Sequence, residues 1–172
     1  MILKGKNFVL RYPKISDLNS YHKNKNDKTL EGGFNRFEYP YSKLEAKKHL
    51  IRAIESNRKK NKTREIFVID IEGKAVGEVG LEDIIPRLKA KSHSFIGKEY
   101  RNKGIVTSAR KLLIEYAFKK YKLRRIYCIV RTANKASKRV TEKVGYKLEG
   151  IAKNDVLKKG KYYDNYVYAI TK

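Results

Sequence analysis

Between Phe95 and Tyr121 a strand-like run stops, a short basic turn containing Gly104 follows, and an apolar stripe at helical spacing begins at once. Ile105, Ala109, Leu112, Leu113, Tyr116 and Ala117 recur at intervals of three and four, so one face of a helix from Lys103 to about Lys120 is committed to a core. A strand feeding a helix through so tight a turn restricts the chain to architectures that mix the two elements. It also aims unbonded backbone N–H groups and the positive end of the helix at one spot. That spot suits a diphosphate.

The remaining pattern extends this into a mixed α/β sheet. Asn7 to Tyr12 predicts a first strand, and Asp17 stands where it would cap a short helix carrying Leu18 and Tyr21. Lys23 to Tyr41, with Gly32, Gly33 and Pro40, reads as a loop with some helix. Ser42-Lys43-Leu44-Glu45 is a capping box opening a helix with Ala46, Leu50, Ala53 and Ile54 on one face, ended by the cluster Arg58 to Lys62. Glu65 to Ile71 is apolar on both faces, as a central strand is, and Glu72-Gly73 makes a hairpin turn. The returning strand is expected to place Ala75, Gly77, Val79 and Leu81 on one face and Glu78 and Glu82 on the other. A weaker strand runs from Leu88 to Ile96, after a connection from Leu81 to Lys89. Arg124 to Arg131 is a further strand, Asn134 caps a short helix ended by Gly145, and Tyr146 to Val156 pairs with Tyr162 to Ile170 around Lys159-Gly160. The expected order is β-α-α-β-β-β-α-β-α-β-β in one domain over residues 1–172, since no repeat, linker or boundary interrupts it.

Composition narrows the partners. A chain of 172 residues is long enough to bury about 70% of its unfolded surface. No apolar run approaches the ~20 residues of a membrane span, and no signal-peptide core is present, which predicts a cytoplasmic protein with no membrane partner. The single cysteine, Cys128, lies in a strand-like run and is expected to be buried filler. Forty-two Lys and Arg against eighteen Asp and Glu give +24, spread along the whole chain. Such a field either reflects solvated basic faces or attracts RNA, the ribosome or a polyphosphate ligand; it opposes polycations. The thirteen tyrosines, dense between Tyr162 and Tyr168, are ordinary material for a terminal hairpin, and no RNA-binding fingerprint accompanies them.

Three segments carry a family resemblance. Arg101-Asn102-Lys103-Gly104-Ile105-Val106 is set against (Q/R)-x-x-G-x-(G/A). Asn134 to Tyr146, about thirty residues on, is set against N-x-x-S-x-x-V-x-E-K-x-G-F/Y. Glu149-Gly150, then Gly160 and Tyr163-Asp164, precede an aromatic strand. In order and spacing these resemble the GNAT superfamily of N-acetyltransferases, in particular the RimJ/RimL type that acetylates N-terminal amines of ribosomal proteins. The match covers the C-terminal half; the N-terminal half agrees only in element order. The resemblance implies a mixed, mostly antiparallel sheet flanked by helices, with a splayed strand pair for the cofactor, and it implies acetyl-CoA as donor.

It also assigns residues. Phe95, Ile96, Arg101, Asn102, Lys103, Gly104, Ile105, Val106 and Thr107 would hold the cofactor: main-chain groups near Phe95 and Ile96 would pair with the pantetheine arm, and Gly104 admits the pyrophosphate without a Cβ in the way. Val106 departs from the family's Gly or Ala, and either crowds the diphosphate or packs under the helix. Asn134 would line the site, Lys135 and Lys138 would reach cofactor phosphates, and Ser137 would protonate the departing thiolate, unless Asn134 is simply a cap and Ser137 a packing residue. For the proton acceptor the sequence offers Glu78 first, with Glu82, Asp83, His93 and Asp155 open. With only three histidines and one cysteine no metal cluster is expected. The expected acceptor is a protein N-terminal amine. The alternatives are a small-molecule amine, or a basic RNA- or ribosome-binding protein on an inactive GNAT scaffold; a monomer and a homodimer are both open.

Overall fold

A computed structural model describes residues 1–33 and 37–172. Part of the expected loop from Lys23 to Tyr41 falls on residues 34–36, outside the described residues. The elements are β1 (Ile2–Lys4), β2 (Val9–Arg11), α1 (Leu18–Lys25), α2 (Lys43–Arg58), β3 (Glu65–Ile71), β4 (Lys74–Ile85), β5 (Lys89–Ile96), α3 (Ile105–Tyr121), β6 (Arg125–Arg131), α4 (Lys135–Val144), β7 (Lys147–Lys158) and β8 (Lys161–Thr171). They form one sheet in the order β1-β2-β3-β4-β5-β6-β8-β7, antiparallel throughout except where β5 meets β6. The mixed, mostly antiparallel sheet expected from the sequence is therefore observed, with β1 added at its edge.

Helices cover both faces, because the central strands are apolar on both. Phe67, Ile69, Val79 and Leu81 pack against Ala109, Leu113, Ala117 and Phe118 of α3. On the opposite face Val68 and Phe95 pack against Tyr21 of α1 and Ala46 and Leu50 of α2. The capping box forms as read, with Ser42 Oγ accepting from the Glu45 amide and Glu45 accepting from the Ser42 amide. The paired edge of β3 ends early, since β2 reaches only Val68; there the Asn57 side chain both donates to the Ile66 carbonyl and accepts from its amide.

Three expectations need correction. Asp17 stands at the start of α1 but does not cap it: its carboxylate accepts from Arg11 at 2.7 and 2.8 Å and from the Lys14 amide, because a guanidinium outcompetes a neutral amide for a buried carboxylate. Ala75 does not share a face with Val79 and Leu81. A bulge between Ile69 and Asp70 shifts the register, so Ala75 joins Tyr21 and Leu50 while Val76 takes the α3 side. Finally, β4 continues through Glu82 and Asp83 to Ile85, so the connection to β5 is only residues 86–88.

The far end of α3 is tied to the sheet by Glu65. Its fully buried carboxylate accepts from Tyr12, from Tyr116 at 3.0 Å, from Tyr121 at 2.7 Å and from Lys120 Nζ at 2.7 Å. Burial alone would raise its pKa, yet these donors, led by Lys120, hold it below the usual carboxylate range. A depressed native pKa stabilises the fold above the unfolded value of about 4.3 and is lost as pH falls through the native one. Glu65→Gln should therefore cost about 2–3 kcal/mol at neutral pH. Thermal melting should show a loss of about 5–10 °C, shrinking below about pH 4.

Candidate active site

The turn after β5 is built for open backbone donors. Asn102 and Gly104 both take left-handed φ values, 61° and 72°, which bring the chain round within three residues. Gly104 occupies the N-cap position of α3 and supplies no side-chain cap. The first helical bond is Ser108 N–H to the Gly104 carbonyl, and the amides of Ile105, Val106 and Thr107 have no partner among the described residues. A Cβ added at Gly104 would meet nothing within 4 Å beyond its chain neighbours, so the turn is open at that point. Val106 packs against the α3-side core, which resolves its departure from the family pattern as packing under the helix.

Arg101 spends its charge elsewhere. It donates to Asp27 at 2.7 Å, to Thr29 Oγ1 at 2.8 Å and to the Ile96 carbonyl at 3.3 Å, so it ties the turn to the segment after α1. Lys103 and Asn102 are exposed beside the turn. Lys138 is half-buried, 3.9 Å from Glu142 and 5.2 Å from the Tyr166 ring centroid, while Lys135 is exposed.

Beside the turn the sheet opens. β5 and β6 pair in parallel only from Lys89 to Lys91 against Arg125 to Tyr127. The vertex is closed by Ser92 Oγ, 2.6 Å from Tyr146 Oη and 3.4 Å from the Tyr127 carbonyl. Beyond it β5 remains paired to β4 and β6 to β8. Gly97 N–H donates to Val76, which fixes the alternation: Phe95 directs its main-chain groups toward β4, while those of Ile96 and Ser94 face the gap. Across it, the same alternation turns Ile129 and Arg131 toward β5. At the open end, Asn134 Oδ1 accepts from the Ser137 amide at 3.0 Å. Ser137 is half-buried, and its hydroxyl has no partner among the described residues.

The face covered by α1 and α2 carries a cluster that the linear sequence showed only in part. Glu78, 2% exposed, accepts from His49 Nε2 at 2.7 Å, Tyr21 Oη at 3.0 Å and His93 Nε2 at 3.1 Å. Gly80 makes room for the His93 ring, since a Cβ there would lie 2.5 Å from its Cε1. Burial pushes Glu78 upward, but the two imidazoles hold it well below the usual range. Lys25 Nζ stands 4.0 Å from the Phe95 ring centroid, and burial lowers it to about 8. Sequence reasoning missed His49, Tyr21 and Lys25; their convergence is set by helix packing, and His49 sits at the margin of the apolar stripe of α2. Of the other acceptors considered, Glu82 pairs with Arg64 opposite the closed part of the sheet, Asp83 is exposed, and Asp155 accepts from Asn165. Among the described residues no group of His, Cys, Asp and Glu could hold a metal ion. Cys128 is buried, as expected, 3.4 Å from an Arg110 nitrogen.

Residues 7–147 match the family model described as an acetyltransferase (GNAT) domain. The chain belongs to the GNAT family. It is 43% identical over 76 residues to the Bacillus subtilis protein YjcK, covering 44% of this chain and 42% of that protein. Over 98 residues it is 32% identical to the spermidine N(1)-acetyltransferase of Escherichia coli K12, covering 56% of this chain and 52% of that enzyme. The matched part thus spans about half the length of these relatives. The fold is shared over nearly the whole length with solved GNAT structures. The Salmonella typhimurium acetyltransferase that modifies the N-terminal serine of ribosomal protein L7/L12 superposes with a TM-score of 0.88 at 21% identity, over 100% of this chain and 99% of that one. The microcin C7 self-immunity acetyltransferase MccE, solved with acetyl-CoA and AMP, superposes with a TM-score of 0.86 at 20% identity, over 98% and 94%.

Gly104 carries a direct test of the turn. Gly104→Ala strains a left-handed position by about 1–2 kcal/mol and adds a methyl in the open turn that precedes the unbonded amides. Calorimetric titration with coenzyme A should show at least tenfold weaker binding, with a cooperative melt retained.

Proposed function

We propose that this chain is an acetyl-CoA-dependent N-acetyltransferase that moves the acetyl group directly to an amine, and that the amine is a protein N-terminal α-amine, as on a ribosomal protein, in the cytoplasm. The observation that carries the reading is the coincidence of two open arrays: the amides of Ile105 to Thr107 on one face, and along the gap the main-chain edge of Ser94 and Ile96, which no strand pairs and of which Arg101 engages the Ile96 carbonyl. A pyrophosphate satisfies the first, with Lys103 and Asn102 beside it. The amide-bearing pantetheine arm satisfies the second as an added strand would. In this reading a main-chain amide of that edge, of Ser94 or Ile96, donates to the thioester carbonyl oxygen as negative charge develops there.

The amine nitrogen attacks the carbonyl carbon, the carbon–sulfur bond breaks, and the thiolate takes a proton. We assign that last transfer to Ser137; in support, Asn134 holds its amide and its hydroxyl has no partner among the described residues. An α-amine suits the site, since its ordinary pKa of about 7.7–8.0 leaves part of it neutral at physiological pH, unlike lysine at about 10.4. The chain's likeness to a spermidine enzyme favours a polyamine as second reading. Against it stand +24 of net charge and the cations Lys25, Arg131 and Lys158 on the acceptor side.

Incubation with acetyl-CoA and a panel of N-terminal peptides, lysine peptides and polyamines, read by release of free coenzyme A and by intact mass, should show a single acetyl group on peptide α-amines. Modification of spermidine in preference to every peptide overturns the acceptor assignment. Retained RNA binding with a steep salt slope and no acetylation of any amine favours the binding-protein alternative. Ser137→Ala should lower kcat about 10²-fold while coenzyme A affinity stays within twofold; unchanged kcat removes Ser137 from the reaction.

A further inference from the structure

Direct acetyl transfer needs an uncharged amine, and the acceptor face holds a constellation able to take the proton. This inference rests on the acetyl-transfer reading above. Glu78, the carboxylate singled out from sequence, is not suited to the task itself. Its Oε1 faces His93 Nε2 at 3.1 Å, and its Oε2 faces both His49 Nε2 at 2.7 Å and Tyr21 Oη at 3.0 Å. Those three donors engage both of its oxygens, and the two imidazoles hold it well below the usual carboxylate range. An anion stabilised in this way is a poor proton acceptor for an ammonium group.

The same contacts make a base of a neighbour. An imidazole that donates Nε2–H to a carboxylate, when neutral, carries its lone pair on Nδ1. His93 Nδ1 is closed to solvent and has no hydrogen-bond partner among the described residues. A buried acceptor left unbonded is unfavourable until a donor arrives, and an ammonium N–H is such a donor. The position fits the chemistry. His93 immediately precedes Ser94, whose main chain faces the gap, and its side chain shares the α1/α2 face with Phe95, two residues on. The pyrophosphate turn lies at the start of α3, on the other face. An acceptor entering from the α1/α2 side therefore meets His93 before it meets the thioester.

We infer that His93 is the proton acceptor for the attacking amine, with Glu78 fixing its tautomer and stabilising the imidazolium, and His49 as a second imidazole competing for the same carboxylate. His93 Nδ1 is covered, so the acceptor's entry has to uncover it. The ammonium then gives a proton to Nδ1, the freed electron pair attacks the thioester carbon, and the same opening lets the imidazolium return its proton to water when the product leaves. Among the described residues the groups facing this cluster are Tyr21 and Lys25 of α1, His49 of α2, Arg64 before β3, Glu78 of β4, and Tyr41 before α2.

The test is the pH profile of kcat for the full chain, with saturating acetyl-CoA and an α-amine peptide that the wild type modifies. Two peptides of different amine pKa separate the limbs: the one that does not move with the peptide belongs to the enzyme. His93→Gln keeps a donor toward Glu78 and should abolish that acid limb, lowering kcat by 10²-fold or more with coenzyme A affinity unchanged. Glu78→Gln removes the anion and should move the limb to lower pH; His49→Gln releases the carboxylate to His93 and should move it to higher pH. A merely structural role predicts no such opposed shifts. Survival of the limb in His93→Gln, or displacement of both other variants in the same direction, overturns the inference. Should a variant fail to fold, NMR titration of the native chain decides, since it has only three histidines. A His93 midpoint equal to the kinetic one supports the assignment, and an unequal midpoint overturns it. A wild type that acetylates no amine instead overturns the acetyltransferase reading on which this rests.

Discussion

Everything distinctive in this molecule follows from how little β5 and β6 have in common. They pair over three residues and then part, because each is bound along its length to a different neighbour, β4 on one side and β8 on the other. Adjacent strands in a sheet are rotated by about 20–25°, and two half-sheets gripped from outside can accommodate that rotation by opening at their junction. The Ser92–Tyr146 contact sets where the opening starts. Beyond it, two strand edges inside the protein present main-chain groups that no strand satisfies. Such an edge is costly unless something with amides of its own lies along it.

The opening also divides the labour between the two faces. On the α3 side the chain supplies anion-binding geometry: a left-handed Gly104, a helix start, and amides without partners. On the α1/α2 side it supplies titratable groups gathered around one buried carboxylate. Arg101 connects the two, since its guanidinium reaches from the turn to the β5 carbonyl of Ile96 and to Asp27 and Thr29. A single side chain therefore fixes the spacing between the end of the cofactor strand, the turn and the segment that borders the acceptor side.

The strand, turn and helix proposed to take the cofactor were legible as structure because they are local. Strand, turn and helix are consecutive, and Gly104, Asn134 and Gly145 each sit at a position whose backbone conformation or cap demands that residue type. The splay followed only from family resemblance, since nothing in the apolar patterns of β5 and β6 says where pairing stops. The acceptor half was much less legible. Glu78 and His93 were visible as polar residues in strands, but their union with His49 and Tyr21 depends on where α1 and α2 dock, and on Gly80 leaving room for a ring. The contact of Arg101 with Asp27, seventy-four residues earlier, was hidden for a similar reason, since it depends on where the segment after α1 packs. The bulge that moves Ala75 has no sequence signature beyond a run of small residues.

Charge argues for the kind of acceptor this face can take. A polyamine site requires carboxylates with unspent charge, positioned for successive ammonium groups. Here the buried carboxylate beside the gap is already matched by two imidazoles and a phenol. Asp27 is engaged by Arg101, and Glu31 by Lys159. Around them stand Lys25, lowered to about 8 by burial, and Lys158, whose Nζ donates to the Glu31 and Phe37 carbonyls. A second positive charge on the acceptor would be repelled by these cations, more strongly than in bulk water where the site is dry. An amine that brings one charge, loses it on arrival and continues as neutral or acidic peptide meets no such penalty. This balance of charge supports the proposed α-amine, which becomes neutral in the site, over a polyamine.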